Sequence, residues 1–254
     1  MKLPERRIWF GSEEPIFNVL PANVLANFRT PRSENALLWN TIYRLARPKL
    51  RLRDLLAIQP IWGTRGVFDE PDDELLPYFW GFDVEGRRLD GLEEALRALD
   101  GPGPSTEVDL FLFGEHHLIA VEAKHTSGFG RCSRYQQTRC PEIHPDEAVE
   151  DSCRYWELDE AKFSRLMRMG SRPDLTSDAP PCTRHYQLCR TYLIGDELAR
   201  RHNRTFSLWA IVSTDDWRSL ELDWLDFADR VRNSDVWRRM RVIPWGQLRD
   251  MDSG

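Results

Sequence analysis

The sequence predicts an α/β fold in which a mixed β-sheet is flanked by helices. Residues 105–124 hold two apolar runs of strand length on either side of Gly114, Glu115, His116 and His117, the pattern of a β-hairpin. Residues 206–212, Phe-Ser-Leu-Trp-Ala-Ile-Val, are almost continuously apolar, as a strand covered on both faces must be. Around them, 33–47 and 184–201 carry apolar residues at helical spacing, and 224–240 reads as an arginine-rich helix.

Taken in order, residues 1–32 contain Pro4, Pro15, Pro21 and Pro31 among short apolar pieces and read as an irregular arm with one helical turn. Ser33 is a good N-cap, and Glu34, Leu37, Leu38, Ile42 and Leu45 recur at helical spacing until Pro48 ends the run. A short helix at 50–58 stops before Pro60, and 78–82 reads as a strand closed by a Glu85-Gly86 turn. Residues 89–99 form a helix with Leu92, Ala95, Leu96 and Leu99 on one side, ended by Asp100-Gly-Pro-Gly-Pro104. The hairpin follows. Residues 125–183 then interrupt the core as an insertion, within which 148–169 reads as a helix with Cys153, Trp156, Leu158, Phe163, Leu166 and Met167 on its apolar side. After the helix at 184–201 and the strand at 206–212 come the arginine-rich helix and a last strand at 241–245, whose Pro244 places its end at a sheet edge. The whole is read as one domain: an arm at 1–32, a core at 33–213 containing the insertion, and a C-terminal helix and strand within 214–254.

Hydrophobic content of 41% and ten tryptophans in 254 residues suffice for a substantial core and exclude global disorder. No run approaches the ~20 apolar residues of a membrane span, and Met1 to Arg7 lead into no apolar signal core, so a cytoplasmic protein is expected. The formal charge of −6 opposes uniform attraction to nucleic acid. Basic residues nevertheless collect at 29–53, 131–139, 184–204 and 230–241, apart from the acidic run at 69–74, and local basic faces can act where net charge does not.

The hairpin carries the chemistry. If Phe113 pairs with Leu118, the antiparallel register sets Asp109 opposite Glu122, and alternation places Lys124 on the same side as both. Two carboxylates meeting in apolar strands repel and lose hydration unless a positive group lies between them. Carboxylate oxygens suit Mg²⁺ or Mn²⁺, which keep several waters and are shared with phosphates. Lys124 would reach the same phosphate or the attacking water, so the pattern points to metal-assisted hydrolysis of a phosphodiester. Only four of the 35 basic residues are lysines (Lys2, Lys49, Lys124 and Lys162), which gives the lysine here added weight. The bland alternative is an exposed hairpin edge blunted by a Glu/Lys pair.

Asp109, a spacer of 12 residues and Glu122-Ala-Lys124 on a hydrophobic strand resemble the PD-(D/E)XK superfamily of restriction-endonuclease-like phosphodiesterases. The proline of that motif is missing, since Glu107-Val108 precede Asp109. The resemblance spans about 33–213 and implies an αβββαβ core, which the order of predicted elements matches. It implies a Mg²⁺- or Mn²⁺-dependent nuclease, most simply a DNA endonuclease with RNA as the other substrate, in which Asp109 and Glu122 hold the metal and Lys124 serves the water and the developing charge. Glu34, by itself a carboxylate compensating a helix N-terminus, matches the acidic residue that often joins the site from the first core helix. Gln187, by itself a surface residue, matches a helix position that contacts the scissile phosphate or a water. Members that cut both strands often pair as homodimers, although no coiled-coil seam is visible here. A non-catalytic nucleic-acid binder and a hydrolase of another phosphate compound are the alternatives.

Cys132, Cys140, Cys153 and Cys182 fall in or beside the insertion, separated by 7, 12 and 28 residues. They are either a structural zinc or iron–sulfur clip, with His144 and His185 as substitute ligands, or four unrelated thiols. No close-spaced cysteine pair decides between these. Cys189, on an apolar helix face, is read as core.

Overall fold

The computed structural model describes residues 10–30, 32–47, 49–64, 68–100, 108–146, 155–156, 162–176 and 179–251. A six-stranded mixed sheet lies between two layers of helices. Its strands are β1 (Trp62–Gly63), β2 (Leu76–Phe79), β3 (Leu110–Phe113), β4 (His117–Ala123), β5 (Thr205–Val212) and β6 (Arg241–Pro244). They are ordered β1-β6-β5-β4-β3-β2. The β2, β3 and β4 strands are antiparallel neighbours, β5 lies parallel to β4, β6 parallel to β5, and β1 antiparallel to β6.

Alternation along the strands divides the core in two. Leu110, Leu112, Ile119, Val121, Trp209 and Ile243 face α1 (Ala22–Phe28), α2 (Glu34–Ala46), α3 (Leu52–Ala57) and α10 (Trp245–Asp250). Phe111, Leu118, Ala120, Leu208, Ala210 and Val242 face α4 (Leu92–Asp100), α7 (Tyr186–Arg201), α8 (Trp217–Arg230) and α9 (Ser234–Arg239). Both central strands are buried throughout β4 and from Phe206 onward in β5, which is why each reads as a nearly unbroken apolar run. Among the described residues between β4 and α7 are two short helices, α5 (Ser133–Gln136) and α6 (Lys162–Leu166).

The hairpin has the expected register, with Phe113 opposite Leu118 and Leu110 opposite Val121. Four residues, Gly114 to His117, separate the last pair as expected; His117 already pairs with β5, and the Gly114 N–H donates to the His117 carbonyl at 2.8 Å. Asp73, arriving from the chain before β2, accepts the N–H groups of Glu115 (2.8 Å), His116 (3.0 Å) and His117 (2.9 Å), as well as the His117 ring. One buried carboxylate thus holds the turn.

Several other elements differ from the sequence reading. From Phe10 to Thr30 the N-terminal segment is no loose arm: a 3-10 turn at Pro15–Asn18 and α1 bury Ile16, Leu20, Val24 and Phe28 against α2 and the turn after β2, while 1–9 and Pro31 lie outside the described residues. The strand expected at 78–82 is β2, two residues earlier, because the chain reverses at Trp80 (φ 49°) and Gly81 (φ 86°). The helix at 89–99 starts only at Leu92. The helix expected at 148–169 is not continuous: Tyr155 and Trp156 form a turn, α6 is five residues long, and Met167 bridges Val231; 147–154 and 157–161 lie outside the described residues, as do Pro48 and 101–107. This insertion is part of the core, since Phe129, Tyr155, Trp156, Phe163 and Met167 pack beneath α7 and α8.

The helix expected at 224–240 is two. Val231 turns extended (ψ 123°) to meet Met167, and the Asn233 side chain accepts from the Asp235 and Val236 N–H groups to restart the chain as α9. Strand β6 is covered at Arg241 and Val242 by β1, too short to be read in the sequence, and its Pro244 lies at the uncovered end, the edge position expected of it. No described helix is long and apolar enough to cross a membrane.

Candidate active site

The site is built at the C-terminal end of β4, where α2 and α7 converge on the strand from opposite faces. Extension of the β3–β4 register sets Asp109, just before β3, opposite Glu122. Its Oδ2 accepts the Ala123 N–H at 2.9 Å across the pair. Glu122 is 1% exposed and Lys124 3%, the depth at which an ionised side chain needs a partner. They supply one to each other: Lys124 Nζ donates to Glu122 Oε1 at 3.0 Å.

Glu34 reaches the cluster from the first turn of α2. Ser33 caps that helix by accepting the Ala36 N–H at 2.9 Å, which frees the Glu34 carboxylate for other work. Its Oε1 accepts from Lys124 at 3.4 Å, and its Oε2 from the His125 N–H at 2.6 Å and the Ser127 hydroxyl at 3.1 Å. Glu34 therefore clasps the turn of chain that leaves β4. Position at a helix N-terminus alone would not have required this.

From α7, the Gln187 amide donates to Glu122 Oε1, and Thr191, one turn later, donates its hydroxyl to Oε2 at 3.0 Å. The Gln187 side-chain oxygen accepts the Gly130 N–H at 2.7 Å. Gln187 is accordingly bonded to a site carboxylate, where the sequence reading expected a phosphate or water contact. Three side chains went unnoticed in the sequence: Ser127, Thr191 and Trp245, whose indole N–H donates to the Lys124 carbonyl at 2.9 Å. The four-residue spacing from Gln187 was a usable signal for Thr191; nothing local marks Trp245.

The electrostatics follow from three carboxylates around one ammonium. Loss of hydration, then Glu122 and Glu34, holds the Asp109 carboxyl well above the ordinary range, with Lys124 and the Ala123 N–H offsetting only part. Burial works against the charged form of Lys124, but Glu122, Asp109 and Glu34 outweigh it and raise the ammonium above its usual value. Lys124 is a cation at any physiological pH.

The three described cysteines of the insertion lie near enough to one another for their charges to interact, but do not by themselves form a metal-holding group. Cys132, Cys140 and Cys182 are buried free thiols, and Cys153 lies outside the described residues. Burial, chiefly, pushes the Cys182 thiol up to about 12, and Trp156 donates its indole N–H to this sulfur at 3.4 Å. His185, considered as a ligand, bonds Asp226 at 2.7 Å, and His144 is only half-buried. Cys189 is core, as expected. Among the described residues no group of three or more His, Cys, Asp or Glu side chains is set to hold a metal ion.

Fold and site together define an α/β protein with a six-stranded mixed sheet and a buried carboxylate–lysine cluster at the end of a central strand. Comparison with protein-family models, with curated proteins and with solved structures finds no match for this chain.

Proposed function

We propose that the chain is a divalent-metal-dependent phosphodiesterase acting on nucleic acid, with DNA as the first substrate to test. One observation carries the reading: Lys124 is bonded to Glu122 and Glu34 within the field of Asp109, which leaves surplus negative charge where a strand ends. The restriction-endonuclease-like core is supported by the succession of α2, the antiparallel β2, β3 and β4, then α7 and a β5 parallel to β4.

The residues fit a hard cation in charge and in donor chemistry. Asp109 and Glu122 would hold Mg²⁺ or Mn²⁺, and a set of only two carboxylates suits ions that keep several waters and share a phosphate oxygen. Bound there, the ion would lower the pKa of a water and neutralise phosphate charge. Lys124 keeps its proton, so its part is to donate hydrogen bonds and positive charge to the attacking water or to a phosphate oxygen, and not to accept a proton. Gln187 and Thr191 fix the Glu122 carboxylate against rotation, and Glu34 holds the backbone that carries Lys124.

Purified protein with Mg²⁺ or Mn²⁺ is expected to cleave plasmid or single-stranded DNA, and Asp109→Asn, Glu122→Gln and Lys124→Ala should each cost roughly a hundredfold or more in rate. Failure to cut any DNA or RNA form, or a Lys124→Ala variant as active as the parent, removes the reading. One observation favours a second: both Glu122 oxygens already have partners in Lys124, Gln187 and Thr191, as in a non-catalytic nucleic-acid binder. That protein would bind DNA in a salt-dependent way, without turnover and without Mn²⁺ between Asp109 and Glu122.

A further inference from the structure

Beside the candidate site, at the N-terminal end of α7, lies a cavity of about 380 Å³ lined by Arg131, Tyr135, Thr183, Arg184, His185 and Arg230. Gln187 ties it to the site: its N–H donates to the Gly130 carbonyl at 3.2 Å, its side-chain oxygen accepts the Gly130 N–H, and its amide bonds Glu122. Arg131 is the next residue along.

The cavity is basic in a protein of net charge −6. Arg184 pairs with Asp223 at 2.7 Å and with Asp226 at 3.5 Å, and Arg230 with Asp226 at 3.2 Å, whereas exposed Arg131 has no acidic partner among the described residues. Three guanidinium groups thus meet two carboxylates, and the start of a 16-residue helix adds partial positive charge. Unspent hydrogen-bonding capacity sits in the same walls. The Thr183 hydroxyl, His185 Nδ1 and Arg230 Nε are buried without a hydrogen-bond partner among the described residues. Tyr135, Pro180 and Pro181 add flat apolar surface, and Asp226, already paired with Arg184, Arg230 and His185, also lines the cavity. The volume is that of a small-ligand site.

We propose that this cavity is a nucleotide subsite. It takes one nucleotide of the strand flanking the bond to be cut, with the phosphate on Arg131 and Arg184 and the base against Tyr135 and the proline pair. The inference rests on the phosphodiesterase reading and adds where the strand lies.

The test is binding of a fluorescein-labelled ten-nucleotide oligo(dT) to the full chain in EDTA, where no metal-dependent cutting can occur. Arg131→Ala should weaken binding about tenfold and reduce the salt slope by about one, with Arg131→Glu weaker still. Tyr135→Ala should cost about fivefold or more, and Arg97→Ala on α4 nothing. With Mg²⁺, the Arg131 variants should raise KM and spare kcat. An unlabelled thymidine 5′-monophosphate should compete in the parent and fail to do so in Arg131→Glu. If Kd and KM are unchanged in both Arg131 variants, or the parent binds no oligonucleotide, the subsite is wrong even in a protein that cuts DNA. Arg131-dependent binding by a protein that never cuts supports the subsite and removes only the phosphodiesterase reading.

Discussion

Lys124, one residue past the end of β4, and Glu122 within it bond each other at 3.0 Å with almost no exposure to water. A buried pair of this kind is costly to break from one side, because the remaining charge is left without a partner. Lys124→Met should therefore destabilise the metal-free protein by about 3–5 kcal/mol. Thermal unfolding in EDTA and in Mg²⁺ checks this. The stabilisation given by Mg²⁺ should be larger in the variant, where the ion takes over the missing charge.

Asp109 should give the opposite result. Its folded pKa is raised, so the stability it contributes is complete below its ordinary value of 3.8 and is lost as pH rises through the folded value. Asp109→Asn should be more stable than the parent in EDTA near neutrality, and the difference should vanish toward pH 4. Denaturant midpoints across that range test the sign, and Mg²⁺ should no longer stabilise the variant.

Asp73 holds the β3–β4 turn with four hydrogen bonds to its carboxylate. Burial opposes its ionisation, but the N–H groups of His116, Glu115 and His117 together with the His117 ring outweigh it and lower its pKa, so its contribution is present above 3.8 and is lost as pH falls through the folded value. Burial lowers the His117 pKa as well, so this imidazole also withdraws stability as pH falls below its ordinary value of 6.5. Asp73→Ala should cost about 1–3 kcal/mol by orphaning the buried His117 N–H and the partly buried N–H groups of Glu115 and His116, and Asp73→Asn less, since one acceptor oxygen remains. Slowed hydrogen exchange at Glu115 to His117 in the parent, lost in Asp73→Ala, is the local readout.

Gly195 lies where α7 comes closest to the sheet: a Cβ there would overlap the Phe206 ring and come within 3.1 Å of the Ala120 Cβ. Alanine is the better helix former by about 1 kcal/mol, yet Gly195→Ala should destabilise by about 1–3 kcal/mol through overpacking. Adding Phe206→Leu should restore part of the loss, and a double-mutant cycle on unfolding free energies measures how much.

Local pattern was legible where the physics is local. The Ser33 cap, the α7 stripe and the apolar run of β5 follow from hydrogen bonding and burial within one element, and their bounds moved by at most two residues. The split between α8 and α9 and the burial of the N-terminal segment were not legible. Val231 leaves its helix for Met167, and Ile16 and Phe28 find their core in α2 and the turn after β2, partners distant in sequence.

By itself, the sequence determined that Glu122 and Lys124 share one side of a strand, because the side-chain period is two, and that Asp109 joins them if Phe113 pairs with Leu118, the register the structure has. Only the tertiary structure decided what surrounds them: Glu34 from α2, Gln187 and Thr191 from α7 and Trp245 from α10. Those contacts depend on which helices cover which face of the sheet. That choice is made by the apolar surface summed over whole elements, which no short motif encodes.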